Sequence, residues 1–350
     1  MPAQPASVGP MTDLRQTTPF GRTGFDVTPL ALGTSSWGRL REGESGDERD
    51  ARILEVADAF FAGTLETNLL DTSNMYGPTD AGHLSELFVG RALAQTAGAD
   101  AGGARAASGL VIQTKLDRDV ANDDFSGDRM RRSLEESLSR LGIDRVDVLY
   151  LHDPEVVGFD AVMAPGGAVE ALVAMKEQGL TTSIGISGGP VGMLQRFVET
   201  DLFDALVTHN RFTVLDRSAE ALLDAATART VGVSNAAPYG GGALTGRPES
   251  AGTYGYRPIR PDMAAALERL RAICDRHGVA LSAVALGFSL RDPRVHTTIV
   301  GASSMSSWVR AIDDATAAAS VPESLWAEIA DLTDGIQPHD ADQPEDPSAP

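Results

Sequence analysis

The chain has 350 residues, a formal net charge of −20 at pH 7 and a sequence pI of about 4.6. That charge disfavours nucleic acid and anionic membrane surfaces as partners, since both need a basic face, and no apolar run approaches the ~20 residues that span a bilayer. A single cysteine, Cys274, excludes an intramolecular disulfide, and MPAQPASVGPMTDLRQ lacks a basic stretch followed by an apolar one, so a cytoplasmic protein is expected.

Residues 1–15 are polar and Pro-rich and read as a disordered arm. TPFGRTGFDVTPLALGTSSWG places turn glycines between β-type residues, which predicts a hairpin at 18–28 and a first strand near 29–35. A repeat of short apolar strand and longer amphipathic helix follows. LALGTS leads into ERDARILEVADAFFAG, NLLDTS into HLSELFVGRALAQT, LVIQTKL into GDRMRRSLEESLSRLG, and VDVLYLHD into GGAVEALVAMKEQG. TTSIGIS leads into PVGMLQRFVETD, ALVTHNRF into DRSAEALLDAATA, TVGVSN into PDMAAALERLRAICDRHG, and TTIVGAS into SSMSSWVRAIDDATAAA. A last helix, PESLWAEIADLTDG, precedes an acidic tail at 336–350 that reads as disordered.

Strand–helix alternation predicts a parallel sheet covered on both faces. Eight units, with no G-x-G-x-x-G after a strand, favour a (β/α)8 TIM barrel over an open doubly wound sheet. One barrel domain is expected over 16–335, with the hairpin as a cap and the last helix as an addition. Two insertions stand out: 98–109, expected at the bottom rim, and 117–129, expected at the top rim where barrel active sites form.

Polar groups stand at the C-terminal ends of several strands. The first ends in Gly33-Thr34-Ser35 with Trp37 beyond, the second in Asp71 with Tyr76 in its loop, the third in Lys115, and the fourth in His152 and Asp153. Singly, these residues have ordinary roles: a loop cap, rim packing, a solvated cation, a structural imidazole. Together they converge, because neighbouring strands lie only ~5 Å apart. An ammonium beside a phenol is expected to draw its pKa down from about 10, with a carboxylate keeping the lysine charged and aimed. The phenol then moves a proton at a substrate oxygen and the imidazole hydrogen-bonds that oxygen. No serine or cysteine nucleophile accompanies them, so the partner reaction must come from a cofactor, and hydride transfer from a nicotinamide complements proton transfer. Trp37 stands where it would either line the substrate pocket or pack the rim. Asp153 and Glu155 form a weak carboxylate pair for glycosidase chemistry, separated by Pro154. His83, His209, His277, His296 and His339 show no metal-ligand spacing, and no metal is expected.

DTSNMYG, with KL and LHDPE at their intervals, resembles the aldo-keto reductase family, and the likeness runs from FGRTGFDVTPLALGTSSWG to the last barrel helix. DFSGDRMRRSLEESLSRLGIDRVDVLYLHDPE, NRFTVLDRSAEALLDAA and NAAPYGGGALTG are similar to its sugar-oxidising branch of aldose, fucose, galactose and pyridoxal dehydrogenases. The resemblance implies a catalytic tetrad of Asp71, Tyr76, Lys115 and His152 with Tyr76 as acid/base. It implies substrate contacts from Trp37, Tyr76 and His152, and NAD(P)(H) held by Gly33, Thr34, Asp71, Ser187, Pro238, Tyr239, Gly240, Gly242, Gly301, Ala302, Ser303 and Ser307. Gly188 stands where the family has an asparagine, and Leu206 at the place of a sixth-strand glutamine, with Asn210 further on. In TIVGASSMSSWVRAI the expected basic residue for a 2′-phosphate is missing: Ser303, Ser304 and Ser307 occupy the positions and Arg310 is the nearest base, a pattern that leans to NAD or dual use. The expected substrate is a small carbonyl compound or sugar and the expected assembly a monomer or small homo-oligomer. Rival readings are a nucleotide-binding regulatory barrel with little turnover and a barrel glycosidase.

Overall fold

The computed structural model describes residues 13–79, 82–97, 109–247, 250 and 252–338. Eight strands form one closed parallel barrel: β1 Leu30–Gly33, β2 Leu69–Asp71, β3 Val111–Leu116, β4 Val146–His152, β5 Thr181–Gly188, β6 Ala205–His209, β7 Gly232–Ala236 and β8 Thr297–Gly301. Each falls on an apolar run expected from the sequence, and the expected (β/α)8 TIM barrel is the fold. β8 returns to β1 with Gly301 opposite Gly33, so the barrel leaves no sheet edge.

Side-chain alternation sorts each strand into two faces. Ala31, Leu69, Val111, Val148, Tyr150, Ala205, Val207 and Ile299 pack together inside the barrel. Their neighbours Leu32, Leu70, Ile112, Leu149, Ile184, Ile186, Leu206 and Val300 join the larger core beneath the helices. The hairpin of Thr18–Pro19 and Asp26–Val27 closes the N-terminal end of the barrel. It does so with Phe20, which is fully buried in the interior cluster. Gly21 makes that approach possible: its φ is +54°, and a Cβ there would lie 2.2 Å from the Gly232 amide nitrogen.

The helices are α1 Gly46–Phe61, α2 Ser85–Ala97, α3 Gly127–Leu141, α4 Ala168–Glu177, α5 Val191–Val198, α6 Glu220–Ala228, α7 Pro261–His277, α8 Leu281–Leu290, α9 Met305–Ala318 and α10 Glu323–Glu328. α1 starts with a reciprocal capping box between Ser45 and Glu48, and α3 ends at Gly142 in the left-handed conformation. α8 is an addition to the sequence expectation. LSAVALGFSL carries no amphipathic period because Leu281, Ala283, Val284, Ala285, Leu286 and Gly287 are all buried. α7, expected to be the seventh barrel helix, instead packs with α8 and α10 in a second core that contains Met263, Leu267, Leu325 and Trp326. Cys274 is buried in that core, where burial pushes its thiol up to about 11.

The loop from Asp117 to Ser126 follows β3 at the C-terminal rim, as expected, and is braced by a bridge between Asp119 and Asp124. Residues 98–108, most of the 1–15 arm and most of the 336–350 tail lie outside the described residues.

Candidate active site

Asp71, Lys115 and His152 stand on the inward face of their strands, in step with Leu69, Val111 and Val148. The alternation that fills the lower barrel with apolar side chains therefore delivers charged ones to its mouth. Lys115 Nζ donates to Asp71 Oδ1 at 2.7 Å and to the Thr72 carbonyl at 2.8 Å. Both side chains are buried, so the pair takes little competition from water. Tyr76 leaves the β2 loop half-buried, with the ammonium 4.3 Å from its ring centroid. The His152 ring meets it edge-on, 5.6 Å between centroids at 79°. Gln113, one layer deeper, donates to Asp71 Oδ1 at 2.8 Å and accepts from the Tyr150 hydroxyl at 3.1 Å.

The expected lowering of the phenol pKa is not what the free protein has. Burial, followed by the charges of Asp71, Asp153 and Asp117, holds Tyr76 well above its ordinary value. Lys115 spends its charge on Asp71 and meets the ring face, so it does not aim at the hydroxyl.

Asp117 is a member of this cluster that the motif reading missed. It continues the inward alternation of Gln113 and Lys115 and is buried. Its Oδ1 lies 2.6 Å from His152 Nδ1, while Oδ2 accepts from the Met75 amide at 3.0 Å and from the Ser73 hydroxyl. Burial alone would raise the Asp117 carboxyl, but the His152 charge and hydrogen bonds from His152 and Ser73 leave it below the ordinary carboxylate value. His152 shows the converse. Burial pulls the imidazole toward neutrality, the Asp153 and Asp117 charges outweigh it, and the ring is pushed up to about 9.

The remaining expected residues divide. Trp37 is fully buried, donates from Nε1 to the Ala302 carbonyl at 2.8 Å and packs edge-on against Phe88. It braces β1 against the end of β8, the rim-packing alternative of the two that its position offered. Leu206 faces the helical core, so it offers nothing to a ligand in the barrel. The mouth position of β6 is His209, in step with Ala205 and Val207, and the period of two in ALVTH was the signal for it. Ser187 is buried beside His152 in the strand register. A Cβ on Gly188 would come 2.8 Å from Glu155 Oε2, so the Glu155 carboxylate fills the space next to that glycine. Asp153 follows β4 with φ +48°, and its Oδ1 lies 3.7 Å from His152 Nε2.

A cavity of about 420 Å3 opens beside β8, lined among others by Tyr239, Gly301, Ser303, Ser307, Arg41, Arg247 and Arg310. Three arginines from separate segments thus line this cavity together with Asp313 and Asp314, although the 301–310 stretch alone supplies a single arginine. Arg41 Nη2 donates to Ser304 Oγ at 2.9 Å. Ser304 and Ser307 also form a reciprocal cap on α9, so their hydroxyls serve the helix. Tyr239 donates to Asp314 Oδ2 at 3.0 Å, and Pro238 is buried. Gly240, at φ +59°, would drive a Cβ to 2.4 Å from the Tyr254 ring. Thr34 is buried after the end of β1, its Oγ1 without a hydrogen-bond partner among the described residues. A glycine loop beside a cavity that carries three arginines, with Asp313 and Asp314 also in its lining, suits a long, polar, anionic cofactor.

Titratable groups face the C-terminal mouth of a closed parallel barrel, the end where barrel enzymes carry their active sites. The aldo/keto reductase family model matches residues 29–331, and the chain belongs to that family of oxidoreductases. It is 30% identical to L-galactose dehydrogenase of Arabidopsis thaliana over 87% of this chain and 88% of that one. It is 31% identical to D-threo-aldose 1-dehydrogenase of a Pseudomonas species, over 88% and 94%. Identity to pyridoxal 4-dehydrogenase of Microbacterium luteolum is 26%, over 81% and 88%. A solved structure of a putative aldo-keto reductase from Pseudomonas aeruginosa shares the fold with a TM-score of 0.60 at 22% identity, covering 89% of this chain and 97% of that one. No helix among the described residues is long and apolar enough to cross a membrane.

Proposed function

We propose that the protein is an NAD(P)-dependent dehydrogenase of small sugars, acting on the hemiacetal carbon of an aldose or on a related carbonyl, with Tyr76 as acid/base. The nicotinamide nucleotide, when bound, supplies or accepts the hydride. The observation that carries the reading is the buried Lys115–Asp71 pair beneath Tyr76, with His152 at its edge. Burying such charges is costly, and groups of this kind gather at functional sites.

In this reading Asp71 holds Lys115, and Lys115 sits under the phenol and offsets negative charge as it develops on Oη. Tyr76 keeps its proton in the free protein, which suits donation to a carbonyl oxygen in the reducing direction. In the oxidising direction it must lose that proton against burial and the surrounding carboxylates. His152 orients the reacting oxygen. Gly33, Thr34, Ser187, Pro238, Tyr239, Gly240, Gly242, Gly301, Ala302, Ser303 and Ser307 would hold the nucleotide. Arg41, Arg247 and Arg310 favour an additional phosphate, although Asp313 and Asp314 share the lining, so within the NAD or dual use expected from sequence the reading moves toward acceptance of NADP. The names of the relatives support a sugar as substrate.

The test is nicotinamide absorbance with both nucleotides against a panel of aldoses, pyridoxal and simple aldehydes. Tyr76→Phe is expected to lower kcat by about three decades, ~1.4 kcal/mol for each, while nucleotide affinity measured by fluorescence quenching is unchanged. Near-normal turnover in that variant would remove Tyr76 from the chemistry.

A further inference from the structure

We propose that Asp117 is a positioning residue for this reaction, clamping Nδ1–H of His152 so that the ring works as an imidazolium with Nε2–H facing the oxygen served by Tyr76. The inference rests on the functional reading above and adds a residue and a charge state to it. A carboxylate can only accept, so the 2.6 Å contact to Asp117 Oδ1 makes Nδ1 the donor. A neutral ring with its proton on Nδ1 would offer a bare Nε2, which cannot donate to a substrate oxygen. Donation by Nε2 therefore requires both ring nitrogens to carry protons.

The surroundings favour that state. Asp117 is itself fixed: Oδ2 takes the Met75 amide at 3.0 Å and the Ser73 hydroxyl, and its own amide donates to Ser133 Oγ at 2.9 Å. Ser73 Oγ also lies 3.2 Å from His152 Nδ1. Asp153 approaches the other ring nitrogen at 3.7 Å from the end of β4. Against these stand burial and the Lys115 charge, both of which disfavour a cation at His152. Glu155 sits close enough for the His152 charge to affect its own carboxyl, and the Tyr76 ring covers one edge of the imidazole. The sum keeps the ring protonated up to about pH 9.

The experiment is an NMR titration of the imidazole nitrogens in histidine-labelled full-length protein, with His152→Gln to assign the signal, in wild type and in Asp117→Asn. In wild type the ring is expected to titrate near pH 9. In Asp117→Asn it should move toward the ordinary value of about 6.5. The alkaline limb of the kcat/KM profile for carbonyl reduction should move with it, and kcat at pH ~8 should fall about 10²-fold. Asp117→Glu, which keeps the charge, should restore much of both. An imidazole that titrates at or below about 6.5 in wild type overturns the proposal, and that measurement stands even if the asparagine variant does not fold. An asparagine variant with ring titration and pH profile unchanged overturns it too. If no carbonyl or sugar is turned over, the functional reading fails while the ring titration still decides the charge state.

Discussion

Gln113 donates to Asp71 Oδ1 from one end of its amide and accepts from Tyr150 at the other. It therefore ties the Lys115–Asp71 pair to a ring wedged across the barrel interior. Gln113→Leu would leave the buried Tyr150 hydroxyl short of an acceptor and Asp71 short of a donor. It is expected to cost about 1–3 kcal/mol of stability and to lower kcat more than it raises KM. Chemical denaturation and steady-state kinetics check the two halves separately. Arg41→Ala addresses the cofactor: NADPH should bind about tenfold more weakly by fluorescence titration while NADH is little affected, as for loss of one charged phosphate contact. Equal weakening of both nucleotides would place Arg41 away from the extra phosphate. Arg41 and Arg247 were not legible as site residues because their relation to Ser303 exists only through space. Asp117 and His209 were closer to the surface of the text, since the period of two in VIQTKLD and ALVTH already turned them inward. Trp37 could not be placed from sequence for the opposite reason: it stands next to a strand end in sequence, yet its ring turns back into the core to reach Ala302.

The strands were the legible elements. Each is a short apolar run, several of them stopped by a polar group, and tertiary packing followed what the runs required. α8 was illegible because a helix buried all round shows no stripe, and its absence made α7 take its place in the count. The N-terminal hairpin was legible as a hairpin, but not in its task. Phe20 fills the lower barrel, and Arg22 donates to the carbonyls of Asp201 and Phe203 at 2.8 and 2.6 Å, fastening the hairpin to the segment before β6. Phe20→Ala is expected to cost about 3–5 kcal/mol, read as a lower denaturant midpoint with an unchanged slope. A loss below ~1 kcal/mol would show that the lower barrel closes without it.

For the whole molecule, pH enters through the mouth. His152 is raised from 6.5 to about 9, so its contribution is fully present below about pH 6.5 and is lost as pH climbs through 9. Glu155 is raised from 4.5 to about 7, by burial first and the Asp153 charge second, so its penalty builds between about pH 4.5 and 7 and is complete above that. Asp117 works in the opposite direction: its carboxyl is lowered, so its stabilisation fades in acid. Thermal stability should therefore fall between about pH 4.5 and 7 through Glu155 and between about pH 6.5 and 9 through His152. Scanning calorimetry across that range checks it, and a Tm that rises toward pH 9 would contradict these assignments. The hairpin adds a constraint of another kind. With Phe20 sealed beneath Leu69, Val111 and Val148, the barrel interior is a packed apolar plug, and in the proposed reaction a proton leaving Tyr76 departs by the mouth. Acid and product must share one doorway with incoming substrate, so whatever covers the mouth governs the traffic of both.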